Sequence, residues 1–237
     1  MKLLVFVFFL ILMPVMILAQ SAKLKWLFNI NYGVSNYIGN GANHNTYMNG
    51  TIPVENDYTQ NPFGKKMKAA LGIGINIRKA SSEGKGFMYS FEFLRLGSRV
   101  NLDGVTYPIR PSILRPATGS TSITANEISV GLSRYLKTGY HLRSPYIFYG
   151  VAGSFQTMVD ETGLAIDYTR TGAFKSDLRH QKQNYVQAQV GTWIDFRWFC
   201  MSLQYRLALN SIRNPVVDGE RMRPQSLFYK IAIALQQ

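Results

Sequence analysis

The chain is poor in the groups on which most protein chemistry depends. It has one cysteine, Cys200, in 237 residues, so no internal disulfide can form. A single thiol with three scattered histidines, His44, His141 and His180, offers no Cys/His metal cluster. None of the three falls beside a serine at the every-second-residue spacing that a strand would need. The expectation is therefore a non-enzyme with no catalytic, cofactor-binding or metal-ligating residues. Gly72-Ile73-Gly74 lacks the third glycine and the following helix of a dinucleotide fingerprint. Acidic residues are also scarce, 13 against 26 Lys and Arg, giving a formal charge of +13. The basic excess is dispersed through expected turns, as at Lys65, Lys79, Arg110, Arg143 and Arg213. No basic stripe with interleaved aromatics exists, which argues against nucleic acid as a partner. Beyond the first 19 residues no apolar run approaches the ~18 needed for a membrane helix, so a helical bundle is excluded.

What the chain does have is alternation. Leu71, Ile73, Ile75 and Ile77 alternate with Gly72, Gly74, Asn76 and Arg78. Successive strand side chains point to opposite faces, so one face is apolar and the other polar or empty. Eight segments carry this pattern: 24–37, 67–78, 86–99, 122–136, 145–157, 184–197, 199–210 and 226–237. Each is long enough for a tilted strand of about 9 to 11 residues to cross a bilayer. The connections alternate between long and short, with expected long loops at 39–64, 100–121 and 159–182. An even strand count with long and short connections in turn is the pattern of an up-and-down membrane barrel. Lipid would lie outside it and a polar lumen inside. Tyr37, Tyr89, Tyr135, Tyr146, Tyr149, Trp193, Trp198, Phe199, Tyr205 and Tyr229 gather near expected strand ends, where rings with one wet end favour an interface.

The N-terminus sets the compartment. Met1-Lys2 precedes an apolar run to Leu18, broken at Pro14 and followed by Ala19. This reads as a signal peptide over 1–19, cleaved after Ala19, with Ala22 as the alternative. Residues 20–237 then form one barrel domain. The whole is expected to be an all-β, eight-stranded antiparallel up-and-down transmembrane β-barrel, preceded by a cleavable signal peptide. Its expected place is the outer membrane of a Gram-negative-type envelope. No cysteine stands just after the expected cleavage point, which argues against anchoring as a lipoprotein.

The order of motifs resembles the PorT-like outer-membrane β-barrel family, within the wider OmpA/OmpX-like set of small eight-stranded barrels. The resemblance covers about 24–235. It rests on Ile30-Asn31-Tyr32-Gly33-Val34-Ser35-Asn36, Ala70-Leu71-Gly72-Ile73-Gly74 and Phe91-Glu92-Phe93-Leu94. It continues through Asn126-Glu127-Ile128-Ser129-Val130, the stretch from Pro145 to Gly153, and Leu203-Gln204-Tyr205-Arg206. The chain departs from the family at Ser129, where proline is common, and in ending without a terminal aromatic. The resemblance implies no active site. Some relatives serve secretion and gliding machinery.

Charges on the expected lumenal face are the candidate site. Glu92, Glu127, Arg206 and Lys230 fall near mid-strand, with Arg78, Asp195 and Arg197 toward the end that holds the termini. An eight-stranded barrel is just wide enough for side chains to fill, and charge in so narrow a space must pair. The four are expected to form a structural network. The expected role is non-catalytic, structural or interaction-based, in the cell envelope. Two alternatives stay open: a component of a larger secretion or gliding complex, and a small pore or ligand-binding barrel. Lipid and lipopolysaccharide are the expected partners, with envelope proteins reached through the long loops.

Overall fold

A computed structural model describes residues 24–49, 58–79, 84–106, 114–139, 144–166, 171–176, 182–196, 198–213 and 220–235. The expected signal peptide and Arg197 lie outside these residues. Twelve strands are present: β1 (Leu24–Ile38), β2 (Asn45–Asn49), β3 (Tyr58–Thr59), β4 (Lys66–Lys79), β5 (Lys85–Thr106) and β6 (Leu114–Lys137), then β7 (Tyr146–Ile166), β8 (Thr171–Ser176), β9 (Asn184–Asp195), β10 (Phe199–Ala208), β11 (Ile212–Arg213) and β12 (Arg221–Ala234).

Eight of these strands close into a ring. In order they are β1, β4, β5, β6, β7, β9, β10 and β12, each antiparallel to the next. The ring shuts where β12 pairs with β1, setting Ile30 opposite Ile231 and Asn31 opposite Lys230. Closure removes the open edges that an eight-stranded sheet would otherwise expose. It also fixes inside and outside for every residue, and the alternation read from the sequence holds on all eight strands. Ile30, Leu71, Phe91, Leu132, Val151, Val190, Leu203 and Ile231, one from each strand, are all exposed outward. Asn29, Asn76, Glu92, Ser133, Ser154, Gln189, Gln204 and Lys230 point into the lumen and are buried.

Both termini of the described chain and the short β4–β5, β6–β7 and β9–β10 turns share one end of the barrel, here the terminal end. The opposite, distal end differs from the sequence expectation. Segments 100–121 and 159–182 are not simply loops. β5, β6 and β7 run 22, 24 and 21 residues, well past the ring. β2 lies parallel to the far end of β5, from Asn45 opposite Asn101 to Asn49 opposite Thr106. β8 folds back on β7, and β3 comes against β8. Thr, Ser and Gly dilute the apolar alternation here, so the sequence pattern fades while the strand pairing continues.

The first long connection also turns inward. Phe63 packs edge-on against Tyr37 with ring centroids 5.2 Å apart. With Ala42, Ile123, Ala125, Val159, Met222 and their neighbours, these residues form an apolar plug across the distal mouth. Asn61 pins the connection to itself: its side-chain nitrogen donates to the Gly41 carbonyl at 3.1 Å, and its side-chain oxygen accepts from the Phe63 N–H at 3.2 Å.

Candidate functional site

The lumen holds the polar groups. Glycine at two inner positions of β4 explains how the larger side chains fit. A Cβ on Gly74 would come within 2.6 Å of Glu92 Cγ, and one on Gly72 within 2.4 Å of Leu94 Cδ2. The empty β4 wall leaves room for the side chains of β5 and for what they meet.

Glu92, on β5, is fully buried and takes two cations. Arg206 Nη2 donates to its Oε2, and Lys230 Nζ donates to its Oε1. Asn31 Nδ2 adds a longer contact to Oε1 at 3.4 Å. Arg206 stands on β10, four strands from β5 in a ring of eight, and thus on the opposite wall. Its guanidinium also donates to Ser129 Oγ at 3.3 Å and to Gln204 Oε1 at 3.1 Å. From Gln204 the chain of donors continues to Gln189 Oε1 at 2.8 Å, and from Gln189 to Ser133 Oγ at 2.7 Å. The network therefore crosses the full width of the lumen and returns to β6.

Glu127 is buried but stands apart from this ion-paired trio. The Tyr185 hydroxyl donates to its Oε2, while Oε1 has no protein partner. Of the four residues singled out in the sequence, the structure brings Glu92, Arg206 and Lys230 into direct contact. Among the described residues Glu127 makes no ion pair. Tyr185 was not singled out in the sequence. Its place in the same alternate row as Gln187 and Gln189 was the available signal.

A second tie crosses nearer the terminal end. Arg78 on β4 meets Asp195 on β9, again four strands around the ring, at 3.0 Å from Nη1 to Oδ1. Its Nη2 approaches Cys200 Sγ at 3.1 Å, and its guanidinium lies 4.0 Å from the centre of the Trp193 ring. Trp193 stacks on Tyr146 and meets Tyr135 edge-on, with centroids 5.1 Å apart in each case. A shallow cavity of about 130 Å³ opens there, lined by Lys25, Arg78, Gly84, Tyr135, Tyr146, Trp193 and Asp195. Three aromatics expected at an interface, Tyr37, Tyr135 and Trp193, are thus inside the barrel and nearly inaccessible. Tyr149, Tyr205 and Tyr229 do face outward.

Among the described residues no group of His, Cys, Asp and Glu is arranged to hold a metal. His44 is on the distal connection, and His141 and His180 lie outside the described residues. What the arrangement does chemically is neutralise and anchor: Glu92 and the partly exposed Asp195 are each tied to a cation from the facing wall.

No family model matches the sequence, and no curated protein is found similar. Among solved structures the chain is similar to Ail, the attachment invasion locus protein of Yersinia pestis. The TM-score is 0.39 at 10% identity, covering 88% of this chain and 98% of that one. Ail in complex with the heparin analogue sucrose octasulfate gives 0.38 at 9% identity, covering 89% and 99%. Neisserial surface protein A, NspA, gives 0.40 at 7% identity, covering 88% and 96%. Likeness at this level says nothing of activity.

Proposed function

We propose that this chain is an outer-membrane β-barrel with a non-catalytic, structural or interaction role in the cell envelope. The observation that carries the reading is the outward row of apolar side chains on all eight strands of a closed ring. A water-soluble barrel would gain nothing from exposing so large an apolar belt, since patches of a few hundred Å² already mark interaction surfaces. In lipid the same belt is solvated, and the closed ring leaves no open strand edge. Residues 1–19 act as the export signal in this reading, and the terminal end faces the periplasm. Membership among the PorT-like barrels is part of the proposal and rests on the motifs quoted above.

The lumenal network keeps the barrel shut. Arg206 with Glu92, Arg78 with Asp195, and the apolar plug around Tyr37 and Phe63 form three barriers in series along the axis. Planar-bilayer recording tests this part, after heat-dependent gel mobility has verified folding and alkaline extraction of vesicles has verified insertion. The inserted chain is expected to show no steady ion conductance. A stable conductance step would favour a small pore instead.

A further inference from the structure

The outer face is apolar around most of its girth but turns cationic at the distal edge of the belt on β5. Along that strand the outward row reads Phe87, Tyr89, Phe91, Phe93, Arg95, Gly97 and Arg99. Both arginines are exposed. The slot between them has no side chain of its own, and Lys68 from β4 fills it. A Cβ on Gly97 would come within 2.9 Å of Lys68 Cδ. The lysine therefore lies across β5, and its Nζ donates to Ser122 Oγ at 3.0 Å and to Thr124 Oγ1, both on β6. β4 carries an extra residue between Met67 and Leu71, and such a bulge re-aims the side chains around it.

Three positive charges, two from β5 and one from β4, thus occupy a stretch of roughly 14 Å along β5, at about 3.4 Å per residue. Arg95 and Arg99 are near enough to act electrostatically on Lys68. None of the three forms an ion pair among the described residues. Their cross-strand neighbours on β6 are neutral, Asn126 opposite Arg95 and Ser122 opposite Arg99. Two carboxylates lie on this face, Asp160 on β7 opposite Thr124 and the exposed Asp103 four residues past Arg99 on β5, and neither forms an ion pair with the three among the described residues. Clustered like charge on a sheet face is destabilising by itself, so the cluster calls for an anion from outside the chain.

We propose that Lys68, Arg95 and Arg99 bind a phosphate group of lipid A in the outer leaflet. The inference rests on the membrane reading, which puts the distal edge of the apolar belt at that leaflet's headgroups. Phe91 and Phe93 lie directly below the cluster, where acyl chains would run, and the guanidiniums and ammonium lie where the phosphates begin. Arginine forks match phosphate oxygens in pairs, and lysine adds a point charge between them.

The test uses the full chain, folded in detergent, titrated with lipid A bearing both phosphates and with the same lipid dephosphorylated, bound lipid being read by native mass spectrometry. Heat-dependent mobility on gels reports folding of each variant, and resistance to alkaline extraction from vesicles reports insertion. The wild-type chain is expected to prefer the phosphorylated lipid, and K68Q/R95Q/R99Q to weaken that binding about a hundredfold. R221Q/R223Q, which removes two exposed arginines on β12, is expected to change it less than about twofold. Inorganic phosphate at millimolar concentration should not displace the lipid. Equal binding of the dephosphorylated lipid, or an unchanged affinity in the folded triple variant, would overturn the inference while insertion stands. Failure of the wild-type chain to insert would overturn the membrane reading and this inference with it.

Discussion

Arg206 reaches from one wall of the barrel to Glu92 on the wall opposite, and neither side chain is exposed to solvent. That single tie spans the lumen. It also couples strands far apart in sequence, since the two residues are 114 positions apart. Breaking a buried pair by removing one partner costs about 3 to 5 kcal/mol, because a charge is stranded.

The three members of the network differ in what their loss strands. Glu92→Gln leaves two buried cations without a carboxylate, and Arg206→Ala removes the tie to the opposite wall. Lys230→Met leaves Glu92 still held by Arg206. Urea unfolding in detergent should therefore rank the losses Glu92→Gln first, Arg206→Ala second and Lys230→Met last, the first two by about 3 kcal/mol or more. Lys230→Met proving the most damaging would show that Glu92 depends on the lysine and not on the arginine.

The apolar belt has an expected depth profile. Arginine placed at Ile73 or Val190, both about half exposed on ring strands, should weaken folding into bilayers by about 2 to 4 kcal/mol. Arginine at Ile166, equally outward but at the far end of β7, should cost about 0 to 1 kcal/mol. Equal costs at the three sites would place Ile166 inside the bilayer or Ile73 outside it.

Glycine at the inner positions of β4 is expected to be intolerant, although from the sequence Gly72 reads as a permissive lumenal site. A Cβ there would meet Leu94 Cδ2 at 2.4 Å and the Phe93 carbonyl at 2.7 Å. Gly72→Ser should cost about 1 to 3 kcal/mol by overpacking, measured by the same unfolding assay. An unchanged midpoint would mean that Leu94 and the β5 backbone yield freely.

The ring, its eight strands and the inward or outward side of most mid-strand residues were legible in the sequence, because a period of two needs no tertiary information. Glu92, Arg206 and Lys230 were legible for the same reason. Which partner each chooses was not: pairing across the lumen depends on how the ring closes, as in the register that sets Asn31 opposite Lys230. The long distal strands were hidden because 100–121 and 159–176 mix Thr, Ser and Gly with few apolar pairs. The inward Trp193 was hidden because aromatic residues fit an interface and a lumen equally well by type.

Topology is open to labelling from outside. In a Cys200→Ser background, a thiol at Asn49 on β2 should react with an impermeant reagent in intact cells. One at Thr138, beside the β6–β7 turn, should react only after permeabilisation. The opposite pattern would invert the barrel in its membrane.

Spin labels placed one at a time along 69–79 of β4, leaving out Gly72 and Gly74, in the Cys200→Ser chain reconstituted in vesicles, read directly which face of the strand meets lipid. Collision rates with dissolved oxygen and with a water-soluble nickel chelate report lipid and water exposure. A closed barrel in lipid is expected to give high oxygen and low chelate access at residues 71, 73, 75 and 77, alternating with low access to both at 76 and 78. Chelate access at 71, 73, 75 and 77, or no period of two, would contradict a barrel with lipid outside and a filled lumen within.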